Sequence, residues 1–251
     1  MKIAGFIKTS LVEWPGKIAS VIFVPGCNFR CPFCHNRDLV DPFRIKGLRD
    51  FSEKSVLEDL KKRRKFIDGV VISGGEPTLQ PDLPEFLEKC RGLGLETMIE
   101  TNGTKPGVIA ILLSRYLVDF LALDFKGPLD NRYAKIVGFK NFDPKIWMGS
   151  FEIILRSGIP FELRTTVVPG IHNEKVLLEM AGQLKKIIEN CKLPACQTGR
   201  KIENCSWYFQ NFQPKNCLDP KFEKIKPFSK IELEEILKAA EKIIPEVKIR
   251  S

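Results

Sequence analysis

Three cysteines lie close together in the segment VIFVPGCNFRCPFCHNRD, which covers residues 21–38. Cys27, Cys31 and Cys34 are separated by three and then by two residues, so one loop can bring all three thiols onto one small inorganic group. A structural zinc site takes four ligands, and an iron–sulfur cluster is normally held by four cysteine thiolates. Three thiolates therefore predict a metal group that keeps one open coordination position, as catalytic metals do.

Two other interpretations of these cysteines stay open from the residues alone. His35 could complete a Cys3His zinc site, although a histidine directly after Cys34 seldom reaches the same tetrahedral metal. The thiols could also be buried side chains without any ligand. We rank both interpretations below an iron–sulfur site.

Alternating strands and helices must position the cysteines. Strands are predicted at 18–26, 69–75, 95–103, 118–127, 159–170 and 205–212. Helices are predicted at 52–66, 81–94, 105–116, 143–158, 173–190 and 229–244. The alternation is typical of parallel βαβ units, and about six units predict either an open doubly wound sheet or an incomplete β/α barrel.

The residues at the strand ends are polar or glycine-rich. The first predicted strand ends in the cysteines, and the next four end in GGEP, ETNG, LDFK and VVPG. Because function collects at the carboxyl ends of parallel strands, we predict one site there. We expect residues 1–251 to form a single domain, with a core at about 18–212 and a C-terminal helical segment at about 229–244.

Composition narrows the cellular setting and the partners. The net charge is +9, from 40 Lys+Arg against 31 Asp+Glu, which makes an acidic partner plausible. The run KKRRK at 61–65 is expected at the solvated end of a helix, so a nucleic-acid partner is not expected. We find no signal-peptide core and no membrane span, and we therefore expect a cytoplasmic protein with reduced cysteines and no membrane partner.

With Phe33 before the third cysteine, the cysteine motif resembles that of the radical S-adenosylmethionine (SAM) enzymes. The segment SGGEPTLQ (73–80) resembles the stretch that contacts the methionyl amino group in that family. The resemblance implies an incomplete (β/α)6 barrel of the radical SAM type. It also implies a [4Fe–4S] cluster on Cys27, Cys31 and Cys34, whose fourth iron is chelated by S-adenosyl-L-methionine.

The resemblance further implies a row of cofactor contacts. They are Phe33, Gly74, Gly75, Glu76, Pro77, Thr101, Asn102, Asp124, Lys126, Arg164 and Val168. Asp124 and Lys126 alternate with apolar residues, so both should face the same way. Glu100 stands where an aspartate is expected, which leaves a monovalent cation there open. An ordinary ion pair is the alternative role of Arg164.

The opening GFIKTSLVEWPGKIASVIFVPGCNFRCPFCHN is similar to the activating proteins of anaerobic ribonucleoside-triphosphate reductase. This implies reductive cleavage of SAM to a 5′-deoxyadenosyl radical, which makes a glycyl radical on a partner enzyme, here anaerobic ribonucleotide reductase. A low-potential donor such as flavodoxin or ferredoxin is implied as well. The alternatives are an activase of the pyruvate formate-lyase type, a small-molecule enzyme resembling 7-carboxy-7-deazaguanine synthase, and a zinc module that binds nucleic acid.

Other cysteines and one histidine have weaker signals. Cys191, Cys196, Cys205 and Cys217 have spacings that fit no metal signature, so we expect a buried or redox-labile set, with zinc or a second cluster as the alternative. Cys90 is expected in the core. His172 either reaches the site or makes a local hydrogen bond.

Overall fold

The computed structural model describes residues 1–191 and 205–250, with the side chain of Cys205 left out. The chain divides into two compact units. The first contains Met1–Asn28 and Asn36–Ala122, and the second contains Phe29–His35 with the described part of Leu123–Ser251. The cysteine loop thus contributes Cys27 to the first unit, and Cys31 and Cys34 to the second.

The first unit contains four complete strands and five helices. The strands are β1 (Gly5–Ser10), β2 (Ala19–Val24), β3 (Gly69–Gly74) and β4 (Glu96–Thr101). The helices are α1 (Arg37–Val40), α2 (Pro42–Ile45), α3 (Glu53–Arg63), α4 (Leu83–Gly92) and α5 (Pro106–Ser114), and a short 3-10 helix covers Pro77–Leu79. β1 is antiparallel to β2, whereas β2, β3 and β4 are parallel neighbours in which Ile22 lies beside Ile72 and Ile72 beside Ile99.

The sequences of β2 and β3 are almost continuously apolar because both strands are buried. Nearly every residue of both strands is buried, as expected for parallel strands that are covered on both faces. Trp14 is buried beside Val21 and Met98 in the core of this unit. Gly69 makes room for that indole, because a Cβ at this position would lie 2.7 Å from the Trp14 ring and 2.6 Å from the Glu96 carbonyl oxygen.

The second unit continues the alternation of strands and helices. β5 (Phe120–Asp124) runs across the boundary between the units, and β6 (Phe161–Val167), β7 (Cys205–Asn211) and β8 (Val247–Arg250) follow. The helices are α6 (Asn131–Ile136), α7 (Pro144–Ser157), α8 (Glu174–Asn190) and α9 (Lys230–Glu241), with a 3-10 helix at Pro220–Lys224. β6, β7 and β8 are parallel neighbours, so Arg164 lies beside Tyr208 and Tyr208 beside Lys248.

Aromatic packing fixes the end of β5. Phe125 stacks on Trp147 with ring centroids 4.7 Å apart, and the Trp147 Nε1–H donates to the Asp124 carbonyl oxygen at 2.7 Å. Phe125 also contacts the ring of Trp207, at 5.5 Å between centroids. These buried contacts hold the backbone on both sides of Phe125, and so they set where Asp124 and Lys126 can point.

The α/β architecture predicted from the alternation is confirmed. All six predicted strands and all six predicted helices are present, with ends that differ by a few residues. Five strands and helices among the described residues were not predicted, namely β1, β8, α1, α2 and α6, and neither were the two 3-10 helices. The five have four to six residues each, and no residue of β1 is buried, so their hydrophobic pattern is weak. Within the described residues, no helix is long and apolar enough to cross a membrane.

Candidate active site

The cysteine loop connects β2 to α1 and is held by backbone hydrogen bonds in each unit. In the first unit, Gly26 has a left-handed φ of 91° and donates its N–H to the Leu39 carbonyl at 2.8 Å. In the second unit, Arg30 N–H donates to the Val137 carbonyl at 2.8 Å, and Cys34 N–H closes a turn onto the Cys31 carbonyl at 3.0 Å. The loop is therefore a defined structure, with Cys31 buried and the other two cysteines partly exposed.

The glycine turn after β3 packs directly on the backbone that leads into the cysteine loop. Gly75 N–H donates to the Val24 carbonyl and Glu76 N–H to the Gly26 carbonyl, both at 2.8 Å. A Cβ on Gly75 would lie 2.0 Å from the Gly26 oxygen, and one on Gly74 would lie 2.5 Å from the Val24 oxygen. No side chain fits at either position, so these glycines let the turn lie directly against the backbone of Val24 and Gly26.

Glu76 is buried, with 1% of its surface exposed, and its carboxylate accepts hydrogen bonds from neighbouring groups of the first unit. It accepts hydrogen bonds from Thr78 N–H (3.1 Å), the Thr78 hydroxyl (2.5 Å), the Thr101 hydroxyl (2.6 Å) and Asn102 N–H (2.7 Å). Burial raises the pKa of Glu76, and these hydrogen bonds oppose the increase. The carboxylate thus ties the end of β3 to the end of β4, a role that the sequence did not predict.

Asn102 directs its side-chain amide toward a cysteine. Its Nδ2 lies 3.8 Å from Cys27 Sγ and donates to Asn28 Oδ1 at 2.9 Å. Its Oδ1 accepts from the Thr104 N–H (3.0 Å) and the Thr104 hydroxyl (2.7 Å), while Asn28 Nδ2 donates to the same hydroxyl at 2.8 Å. This closed network fixes the orientation of the amide. Neither Asn28 nor Thr104 was singled out from the sequence, although Asn28 directly follows Cys27 and Thr104 directly follows the ETNG segment.

Glu100, the residue that left the cation question open, accepts a hydrogen bond from the Ser73 hydroxyl at 2.5 Å. This bond gives the carboxylate a structural partner in the neighbouring strand. A cation at Glu100 stays an open alternative.

Asp124 and Lys126 form an ion pair in the second unit, with Nζ and Oδ2 2.9 Å apart. The predicted common direction of the two side chains is therefore correct. Burial disfavours the charged ammonium, but the nearby Asp124 and then Cys31 more than offset this, so the pKa of Lys126 lies above its usual value. Lys126 remains a cation that is only partly exposed.

Arg164 makes the ion pair that was its alternative role. Its Nε donates to the Glu162 carboxylate, and both side chains are almost completely buried. Arg250 binds the same carboxylate at 2.8 and 3.1 Å and lies over the ring of Tyr208 at 4.8 Å. Glu162 therefore orients Arg164 and anchors β8, and neither Glu162 nor Arg250 was singled out from the sequence.

His172 makes the local hydrogen bonds that were one of its two alternatives. Its Nδ1 accepts from the Val168 N–H at 3.0 Å, so Nε2 carries the proton and donates to the Lys126 carbonyl at 3.2 Å. Burial lowers the pKa of His172 to about 4. The Val168 carbonyl accepts from Ile171 and His172 N–H, so a cofactor contact near Val168 would use its side chain or neighbouring backbone.

The remaining cysteines fall into two groups. Cys90 is buried in α4, as expected for a core residue, and burial raises its pKa to about 12. Cys191 and Cys217 are also buried, whereas Cys196 and the side chain of Cys205 lie outside the described residues. Zinc or a second cluster therefore stays the alternative for these four late cysteines, those after residue 190.

Comparison with known proteins gives the class. Residues 21–180 match the radical SAM superfamily, and the chain belongs to this family. A protein of Methanocaldococcus jannaschii with the name "Putative glycyl-radical enzyme activating enzyme" is 32% identical over 99% of this chain and 95% of its own length. The pyruvate formate-lyase-activating enzyme of Clostridium pasteurianum is 31% identical over 72% of this chain and 74% of its own length.

These relatives identify the chain more narrowly as a radical SAM glycyl radical enzyme activating enzyme, an oxidoreductase. Its cofactors are the [4Fe–4S] cluster and SAM of that superfamily, as predicted. Among solved structures, Streptococcus suis SuiB bound to S-adenosylmethionine matches 92% of this chain with a TM-score of 0.61 at 16% identity. This chain covers 52% of SuiB, about half its length, and the likeness supports the radical SAM fold.

Proposed function

We propose that Cys27, Cys31 and Cys34 are the three protein ligands of the [4Fe–4S] cluster. The proposal rests mainly on one observation: backbone hydrogen bonds give the loop that contains these cysteines a defined structure. Cysteine thiolates are soft donors of the kind that bind iron–sulfur clusters. The glycine turn at Gly74 and Gly75 lies against the backbone leading into this loop, with no room for a side chain. That geometry supports a cofactor site at the ends of β2 and β3.

We propose that SAM is contacted by the strand-end residues in both units. In the first unit these are Gly74, Gly75, Glu76, Pro77, Thr101 and Asn102. In the second unit they are Phe33, Asp124, Lys126, Arg164 and Val168. The Lys126 cation and the Asp124 carboxylate suit the carboxylate and hydroxyl groups of the cofactor. Glu76 is proposed to act mainly through the backbone that it orders, because its carboxylate already accepts four hydrogen bonds.

When bound, the cluster and SAM supply the one-electron chemistry, in which the C5′–S bond is cleaved to methionine and a 5′-deoxyadenosyl radical that takes hydrogen from a glycine Cα. The chain contributes position and a dry site. Glu76 and His172 each join neighbouring strand ends by hydrogen bonds. The Asp124–Lys126 pair holds opposite charges 2.9 Å apart at the end of β5. These groups are held by the fold before any cofactor binds, which lowers the cost of organising the site.

We propose anaerobic ribonucleoside-triphosphate reductase as the partner that receives the glycyl radical. The resemblance of residues 5–36 to the activating proteins of that reductase supports it. A pyruvate formate-lyase type of partner is the second candidate, because the Clostridium pasteurianum relative carries that name. We further propose a cytoplasmic, single-domain protein that is reduced by flavodoxin or ferredoxin.

Electron paramagnetic resonance (EPR) separates the two partners. The reconstituted protein, SAM and dithionite would be mixed anaerobically with either inactive purified enzyme. We expect the glycyl radical signal with the reductase and not with the lyase, and none with the Cys31→Ala variant. A signal with the lyase alone would overturn the choice of partner but keep the class of enzyme.

A further inference from the structure

The connection between β7 and α9 covers the second half of the cysteine loop. We name residues 213–230, QPKNCLDPKFEKIKPFSK, the lysine segment. Three hydrogen bonds join it to the loop: Leu218 N–H to the Cys34 carbonyl (2.9 Å), Asp219 N–H to the Pro32 carbonyl (2.9 Å), and Asn216 Nδ2 to the His35 carbonyl (3.1 Å). The Phe222 ring also lies 6.4 Å from that of Phe33. The segment is thus hydrogen-bonded to the half of the loop that carries Cys31 and Cys34, two of the proposed cluster ligands.

The lysine segment has a defined conformation. Asp219 caps its 3-10 helix by accepting from the Lys221 N–H at 2.9 Å, and Glu223 accepts from the Cys217 N–H at 3.0 Å. At its far end, Asn211 Nδ2 donates to the Phe228 carbonyl at 2.7 Å. A surface fixed in this way can present side chains in a constant arrangement to a partner.

The exposed side of this surface carries excess positive charge. The segment has five exposed lysines and two acidic residues; the lysines are Lys215, Lys221, Lys224, Lys226 and Lys230. Of these five lysines, only Lys230 forms an ion pair with a residue that the structure describes, namely Glu234 at 3.8 Å. Uncompensated charge of one sign steers partners of the opposite sign.

We propose that the lysine segment is the docking surface for an acidic one-electron carrier protein that reduces the cluster. This inference rests on the proposed function of the three cysteines. Electron transfer slows steeply with distance, and the segment is hydrogen-bonded to the backbone of Cys34 and Pro32. A carrier bound there would lie next to the cluster-binding loop. In the step itself the carrier loses one electron and the oxidised cluster gains it, with no bond or proton transferred.

The charge pattern suits a brief encounter. Redox partners typically bury small interfaces and rely on electrostatic steering for fast association. Such attraction is screened when salt shortens the Debye length from about 10 Å at 0.1 M to about 3 Å at 1 M. The proposal therefore predicts a reduction rate that falls more steeply with ionic strength for a protein donor than for a small reductant such as dithionite.

The test compares charge reversal here with the same reversal elsewhere. Photoreduced flavodoxin would be mixed with the reconstituted holoenzyme, and cluster reduction followed by stopped-flow absorbance. We expect Lys221→Glu with Lys224→Glu to slow the reaction at least tenfold at low salt, and to slow reduction by dithionite, a small anion, much less. The matched control is Lys61→Glu with Lys62→Glu, which reverses two exposed lysines on α3 of the other unit.

Several results would overturn the docking proposal. These are an equal effect of both double variants, a dithionite rate that falls as much as the flavodoxin rate, or a flavodoxin rate that does not change. If the charge-reversed variant still formed less glycyl radical when dithionite was the reductant, the surface would bind the glycyl radical enzyme and not the electron carrier. The neutral pair Lys221→Gln and Lys224→Gln provides a milder version, for which we expect an intermediate rate.

Failure of the cluster proposal would look different. If the unaltered protein held no iron, dithionite would produce no cluster signal in any variant. The surface would then be tested by calorimetric titration of flavodoxin into the unaltered and charge-reversed proteins. Loss of affinity specific to Lys221 and Lys224 would support docking, and equal affinity would overturn it.

Discussion

The side-chain amide of Asn102 lies 3.8 Å from Cys27 Sγ, held in place by Asn28 and Thr104. Hydrogen bonds to the sulfurs are one of the means by which a protein sets the reduction potential of an iron–sulfur cluster. The closed network fixes the direction of the amide N–H groups.

The first prediction concerns that amide. Replacing Asn102 by Leu removes the donor, which should make the thiolate more electron-rich and the cluster harder to reduce. We expect a fall in potential of about 59 mV, which is a tenfold change in a one-electron equilibrium. An EPR-monitored redox titration measures it. Asn173→Ala, which removes an exposed cap of α8, is the control and should leave the potential unchanged. An unchanged potential in Asn102→Leu would show that the amide does not act on the cluster.

The second prediction concerns the glycine turn. Ala at Gly75 would place its Cβ 2.0 Å from the Gly26 carbonyl oxygen, so the turn and the start of the cysteine loop must separate. Overpacking of this kind costs about 1–3 kcal/mol of unfolding free energy, and iron incorporation should fall with it. Gly92→Ala, at the end of α4 with open space around it, should not destabilise the protein. Chemical denaturation and iron analysis compare the two, and equal stability of both variants would contradict this packing.

The third prediction concerns pH and His172. Its pKa is lowered to about 4 from an ordinary value of 6.5, so below pH 6.5 the unfolded chain binds a proton that the folded chain does not. The stabilisation is therefore complete above pH 6.5 and is lost as the pH falls toward 4, by roughly 3 kcal/mol. His172→Gln should flatten this part of the profile.

Urea unfolding from pH 7 to pH 4 measures the effect of His172. The chain has only one other histidine, the exposed His35, and His35→Gln should keep the slope of the unaltered protein. If His172→Gln retained that slope, another group would be responsible for the pH dependence.

The fourth prediction concerns the buried carboxylate of Glu162. Glu162→Gln leaves Arg164 and Arg250 without their common counter-charge, and breaking a buried ion pair from one side costs about 3–5 kcal/mol. Arg250→Met should cost less, because Arg164 still pairs with the Glu162 carboxylate. Denaturant unfolding of both variants gives the order, and the reverse order would contradict the assignment.

Much of the fold follows from local patterns. Each predicted strand is an apolar run followed by polar or glycine residues, because parallel strands are buried along their length and open to solvent at their ends. β8 escaped prediction because its four residues, VKIR, gain their strand structure from pairing with β7 far away in sequence. The same reason hid the joint binding of Arg164 and Arg250 to Glu162, which no local motif encodes.

The sequence was enough to predict which residues belong to the candidate site. It was not enough to predict which contacts each of them makes. The motif around Glu76 identifies it, yet only the folded chain brings Thr101 and Asn102 onto its carboxylate. His172 was left between two roles because a histidine in a loop can turn either way. Its two hydrogen bonds, to the backbone of Val168 and Lys126, depend on the ends of β5 and β6 lying side by side.

A count of iron and sulfide after anaerobic reconstitution, with EPR spectra before and after SAM is added, tests most directly whether the three cysteines hold a [4Fe–4S] cluster. We expect about four irons per chain, a reduced-cluster signal that changes with SAM, and loss of both in Cys31→Ala. About eight irons would show a second cluster, for which the late cysteines are the candidates. Zinc without iron, or a full cluster in Cys31→Ala, would contradict the assignment of the three cysteines.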